Sequence, residues 1–173
     1  MAMFRTQSLR IRRVAILLSL LCVAVVLAAP LKTAHALPVV ANGSDPYADG
    51  CAGGHASWYV VESAYVYDDV GSQVGYVQLW YSATCDTNWT RVVPYSSVNG
   101  LIVSLYAWNT GTKTWQLEPG SSTSCQSYCW DAETNSYDLR TGQYGIPGPA
   151  KAHGCVIEPS GRGGCADAAQ PTK

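Results

Sequence analysis

Between Ser57 and Leu117 apolar and polar residues alternate in short runs separated by turn formers. Gln73 to Ser82 is the clearest run. As a strand it would carry Gly75, Val77, Leu79 and Tyr81 on one face and Tyr76, Gln78, Trp80 and Ser82 on the other. Leu101 to Asn109 repeats the pattern, setting Leu101, Val103, Leu105 and Ala107 against Ile102, Ser104, Tyr106 and Trp108. Trp58 to Val61 and Ala64 to Tyr67 are aromatic and β-branched, which suits a pleated surface. Asp68 to Ser72 reads as a turn. Cys85 to Asn88 reads as a hairpin loop returning through Trp89 to Val93, with a break at Pro94. Asn99-Gly100 is a strong turn signal. Thr110 to Lys113 closes the next strand, and Thr114 to Leu117 begins another.

The flanks are less regular. Leu37 to Gly54 is rich in Gly, Pro, Asp and Asn. Beyond Glu118 the alternation weakens: Pro119 to Ser127 reads as a loop, short strands are expected near Tyr128-Cys129-Trp130 and Cys155-Val156-Ile157, and no helical periodicity follows. Many short strands and no helix predict a mostly β fold, a small antiparallel β-sandwich or open barrel stabilised by disulfides. The expected layout is an irregular opening segment at 37–56, a single β domain at 57–158 and a loose tail at 159–173 pinned only by Cys165.

Residues 1–36 have a different character. Arg5, Arg10, Arg12 and Arg13 precede an apolar run from Val14 to Ala29, followed by Ala34-His35-Ala36. A charged head, apolar middle and A-x-A end is the layout of a secretory signal peptide cut after Ala36. The run is also short of the roughly 20 residues a membrane-spanning helix needs. The expected product is secreted and extracellular, with no membrane association after cleavage. Five of the eleven basic residues lie in this leader, and none of the twelve acidic ones does. The mature chain therefore keeps six basic against twelve acidic residues, a formal charge of −6. That sign repels phosphate backbones, so nucleic acid is not an expected partner.

Of the seven cysteines, Cys22 lies in the leader and Cys51, Cys85, Cys125, Cys129, Cys155 and Cys165 remain. An even number in an exported chain reads as a disulfide framework with 15 conceivable pairings. The Cys125-x-x-x-Cys129 spacing lacks the second short-spaced Cys or His pair that a zinc site requires. Asp131-x-Glu133-x-Asn135-x-Tyr137 alternates oxygen ligands as a calcium loop does, but Ser136 and Gly142 stand where that loop needs Gly and Glu. No metal and no cofactor are expected.

Catalytic signals are weak. Only His55 and His153 survive cleavage, each near a cysteine expected to be bonded, and no G-x-S-x-G elbow exists. Asp68, Asp69, Glu118, Asp131, Glu133, Asp138 and Glu158 are mostly placed in turns, whereas glycoside hydrolysis needs two carboxyls held about 5–10 Å apart. No catalytic residue is assigned.

The aromatics are richer. All six Trp and all eleven Tyr lie in the mature domain. If their strands are neighbours with exposed faces, Tyr76, Gln78, Trp80, Tyr106 and Trp108 form an aromatic and polar platform suited to stacking on sugars. If a two-layer fold covers both faces, the same residues are packing. The expected function is a non-catalytic binding module for glycan or cell-wall material. An extracellular protein-interaction or inhibitor domain is the alternative, and a small hydrolase ranks last.

Four spaced elements are similar to a bacterial secreted family catalogued as domain of unknown function 2690. They are Gly43-Ser44-Asp45-Pro46, Gly50-Cys51, Val77 to Cys85, and Trp89-Thr90-Arg91-Val92. The resemblance spans roughly residues 41–105. Trp80 stands where that family usually has Arg and Thr90 where it has Ala, and Cys125, Cys129 and Cys165 are additions. It implies export and a compact domain, but no activity. It also implies that the shared Cys51 and Cys85 are bonded to each other. The other four then pair among themselves, with Cys155 expected to join Cys125 or Cys129. Trp89 and Arg91 share a face beside the Cys85 loop. Trp89 is expected to be buried against that bridge, with Arg91 as its polar cap or cation–π partner.

Overall fold

In the computed structural model, residues 41–172 are described, apart from 127–128 and 132–133. The predicted leader, together with Tyr128 and Glu133, lies outside the described residues. The described chain forms eleven strands and no helix: β1 (Trp58–Tyr67), β2 (Gln73–Ser82), β3 (Thr87–Pro94), β4 (Gly100–Asn109), β5 (Thr114–Leu117), β6 (Thr123–Gln126), β7 (Trp130–Asp131), β8 (Ser136–Tyr137), β9 (Leu139–Arg140), β10 (Ala150–Ile157) and β11 (Gly163–Ala169). One antiparallel sheet runs β1-β2-β3-β9. A second runs β11-β10-β4-β5, with β6 also paired to β4, and β7-β8 is a separate hairpin. Among the described residues no sheet closes into a barrel.

The turns have local causes. The Asp68 carboxylate accepts the amides of Val70 (3.1 Å) and Ser72 (2.6 Å) between β1 and β2. Asn109 Oδ1 accepts Gly111 N–H (2.9 Å) and Thr112 N–H (3.0 Å) between β4 and β5. Each side-chain acceptor satisfies amides that the turn removes from the ladder.

The core lies between the sheets. Val77, Leu79 and Val92 of the first sheet and Leu101, Val103, Leu105, Ala152 and Val156 of the second are all fully buried. This is the alternation predicted for β2 and β4, whose opposite residues point outward. The second sheet can come close because its inner face is small. A Cβ on Gly154 would lie 2.8 Å from Val77 Cγ2 and 3.2 Å from Val92 Cβ.

The tail and part of the disulfide pattern require correction. Residues 163–169 are not loose: β11 pairs with β10 along seven positions, from Lys151↔Ala169 to Ile157↔Gly163. Its sequence, GGCADAA, has no β-branched or aromatic residue, so intrinsic preference gives no sign of a strand. Tertiary fit decides instead, since a Cβ on Gly164 would lie only 1.8 Å from the Tyr67 carbonyl oxygen. β10 likewise begins at Ala150, five residues before the predicted run at Cys155. Cys51 is joined to Cys85, the pairing that the resemblance implied. Cys155, however, bonds Cys165 rather than Cys125 or Cys129, because the β10–β11 register sets Cys155 directly opposite Cys165. Cys125 and Cys129 close a tight loop on each other, with Cα atoms 5.8 Å apart.

Candidate functional site

The outward face of the first sheet is in part covered by the chain's own opening segment. Cys51–Cys85 anchors that segment, and Asp45 shapes it. Asp45 Oδ1 accepts the amides of Tyr47 (2.8 Å) and Ala48 (3.4 Å), while Oδ2 accepts Arg140 Nη2 (2.8 Å). Burial pushes the Asp45 carboxyl up, but these hydrogen bonds and the Arg140 charge outweigh it and hold it below its ordinary value of 3.8. The Arg140 guanidinium sits 4.7 Å over the Tyr47 ring, which meets Trp58 edge-on at 6.1 Å.

Behind Tyr47 the indoles form a layer. Trp58 and Trp80 are 4.7 Å apart, and Trp80 lies nearly parallel to Trp89 at 6.0 Å and 8°. Trp89 is buried, as expected, but Arg91 is not its partner. Arg91 Nε donates to Asp138 Oδ2 (2.8 Å) and Nη2 donates to Ser136 Oγ (3.1 Å), with a second, short contact from Nη2 to Asp138. The buried carboxylate of Asp138 draws the guanidinium away from the indole, and the arginine over a ring is Arg140. Asp131 also pairs with Arg140, so the residue that would begin a calcium loop faces a cation.

The five platform residues do not assemble into one surface. β2 and β4 belong to different sheets, so Tyr76, Gln78 and Trp80 face outward from one layer and Tyr106 and Trp108 from the other. Trp80 belongs to the indole layer. Tyr76 and Gln78, by contrast, line an open groove of about 400 Å³ together with Ser63, Ala64, Tyr65 and Tyr95. Tyr65 and Tyr95 are more than half exposed. Tyr76 and Tyr95 lie 5.9 Å apart and tilted by 50°. Gln73 Nε2 donates to the Tyr95 hydroxyl (2.8 Å), and Trp80 Nε1 donates to Gln78 Oε1 (3.2 Å), so hydrogen bonds orient both groove residues.

Tyr65, Tyr95 and Ser63 were not singled out from the sequence. A β-bulge between Val60 and Glu62 shifts the pairing of β1 by one residue and so sets Ser63 opposite Gln78 and Tyr65 opposite Tyr76, where uninterrupted alternation would have set Glu62 and Ala64. Tyr95 follows the Pro94 break and is brought back by its amide bonding to the Val74 carbonyl (3.0 Å).

On the second sheet Tyr106 and Trp108 sit in a different setting. Lys151 Nζ lies 4.6 Å from the Tyr106 centroid, and Trp108 meets Trp115 edge-on at 5.2 Å. Lys151 also donates to Asp167 Oδ2 (2.9 Å), while His153 Nδ1 lies 2.7 Å from Asp167 Oδ1 and its Nε2 3.4 Å from Cys155 Sγ. Burial raises the Asp167 carboxyl, but the hydrogen bonds and charges of His153 and Lys151 prevail and hold it below 3.8. The donor atoms of His153, Cys155 and Cys165 lie within 4.8 Å of one another, but both sulfurs are spent in a disulfide, so the group cannot ligate a metal while oxidised. No family model, no curated protein and no solved structure matches this chain.

Proposed function

We propose that this domain is a secreted, non-catalytic binding module and that its groove on the first sheet takes a neutral glycan of extracellular or cell-wall material. The carrying observation is the groove itself, where three tyrosines converge with Gln78 and Ser63 and, among the described residues, no charged side chain joins the lining. Tyrosine offers an apolar ring for the CH face of a sugar and a hydroxyl for its OH groups. A concave site with a few oriented polar groups is the usual form of a small-ligand site. Three disulfides fit an oxidising compartment, in keeping with the leader. Asp131 and Asp138 are held in ion pairs with arginines and the Asp68 carboxylate shapes a turn, which speaks for binding rather than hydrolysis.

The test is retention of the mature domain on purified cell-wall glycan and on neutral insoluble polysaccharide. Wild type and Trp108→Ala should be retained, and Tyr76→Ala and Tyr95→Ala released. Retention unaffected by either tyrosine would reject the groove. A stoichiometric protein complex without any retention would favour the interaction-domain reading.

A further inference from the structure

The second sheet carries a feature that the binding reading does not use. Cys155 and Cys165 face each other across β10 and β11, and the two residues differ in exposure: Cys155 is buried, whereas Cys165 is exposed. His153, two residues before Cys155 on the same face, points Nε2 at the buried sulfur from 3.4 Å. Its other nitrogen is held by Asp167, whose second oxygen is held by Lys151. Tyr106 meets the imidazole edge-on at 6.4 Å and completes its surroundings. Carboxylate, imidazole and sulfur thus stand in line, in the order used to stabilise a thiolate. Neither of the other bridges has this arrangement among the described residues. Both residues of Cys51–Cys85 are buried, and among the described residues no histidine bonds to Cys125 or Cys129.

We infer that Cys155–Cys165 is a thiol-exchange site, opened by an extracytoplasmic dithiol at Cys165 with Cys155 as the leaving thiolate and His153 as its proton donor. The donor thiolate attacks Sγ of the exposed Cys165. A donor–Cys165 bond forms, the Cys155–Cys165 bond breaks, and its electron pair leaves on Cys155 Sγ. Protonated His153 donates from Nε2 to that thiolate and delivers the proton. The donor's second thiolate then attacks the donor sulfur held on Cys165, so the donor departs as a disulfide and Cys165 is released. Two electrons pass from the dithiol to the domain, and the two donor protons end on Cys155 and Cys165. Stabilising the leaving thiolate accelerates exchange: at a Brønsted sensitivity of about 0.4–0.5, each tenfold in leaving-thiol acidity is worth about threefold in rate. Asp167 acts through His153 and is a positioning residue, fixing the ring so that Nε2 faces sulfur.

The experiment exposes the folded mature domain to limiting dithiothreitol and follows each cysteine by differential alkylation and mass spectrometry. Cys155 and Cys165 should become alkylatable first. With glutathione as a monothiol probe, the trapped mixed disulfide should sit on Cys165. His153→Ala should slow opening of this bridge about threefold or more, the worth of a tenfold loss of leaving-thiol acidity, without changing Cys125–Cys129. His153→Gln, which keeps the polar volume, serves as the second variant and should slow it too. Asp167→Asn should alter the pH profile of opening while the bridge still forms. Equal opening rates for all three bridges, glutathione on Cys155, or an unchanged rate in both His153 variants would overturn the inference.

Discussion

Single residues carry the first sheet's outer layer. Trp89 is the largest fully buried side chain of the domain, stacked on Trp80 and close to Trp58. Trp89→Ala should cost about 3–5 kcal/mol, read from urea unfolding, because the rigid indoles around it cannot fill the void. Arg91→Ala should also be severe, about 3–5 kcal/mol, because it strands the buried carboxylate of Asp138. Adding Asp138→Asn should recover part of that loss, and a double variant as unstable as Arg91→Ala would refute the pairing. Asp45 gives a pH signature. Its folded pKa lies below the ordinary 3.8, so its contribution is complete above that value and fades as pH falls through it towards the folded value. Asp45→Asn should therefore flatten the acid limb of stability in urea midpoints measured from about pH 5 down to pH 3. Of this residue-scale detail, the sequence showed that Trp89 would be inside. It did not show which arginine would meet which ring, since that follows from β9 pairing beside β3, with Arg140 opposite Arg91.

At the scale of elements, legibility follows side-chain size. β2 and β4 were readable because each packs large residues on one face and polar or aromatic ones on the other. β10 and β11 were nearly invisible, since Ala and Gly are there to let the sheets approach and carry little β preference. The same contrast explains the groove. Tyr76 and Gln78 were readable from alternation, whereas alternation alone does not say that Trp80 packs between Trp58 and Trp89 or that Tyr95 returns beside Tyr76. Close approach makes its own prediction. Gly164→Ala would push a methyl into the Tyr67 backbone and should destabilise by about 1–3 kcal/mol, with faster amide exchange along β10 and β11. Gly148, whose added Cβ would have nothing within 4 Å, is the control, and Gly148→Ala should be close to neutral. Equal effects of the two substitutions would show that packing against β1 does not hold β11 in place.

For the whole molecule, a β domain this small buries a limited share of its surface, so cross-links weigh heavily in its stability. The three bridges are unequal because they close loops of different length. Cys51–Cys85 spans 34 residues, Cys155–Cys165 spans 10, and Cys125–Cys129 spans 4. In the chain-entropy treatment these correspond to about 4, about 3 and about 2 kcal/mol of restriction on the unfolded chain. Paired Cys→Ala variants should therefore lose stability in that order in urea unfolding. The first pair should also be distinguished by its structural consequence. Without Cys51–Cys85 the opening segment is tethered mainly by Asp45 and Arg140 and by the pairing of Ser44 with Gln143, and Tyr47 is freed from Trp58. Water then reaches the indole layer, so tryptophan emission should shift to the red under native conditions in this variant alone. If removing Cys125–Cys129 proves as costly as removing Cys51–Cys85, loop length is not what ranks the bridges. Native-state contacts around each sulfur would then have to account for their contributions.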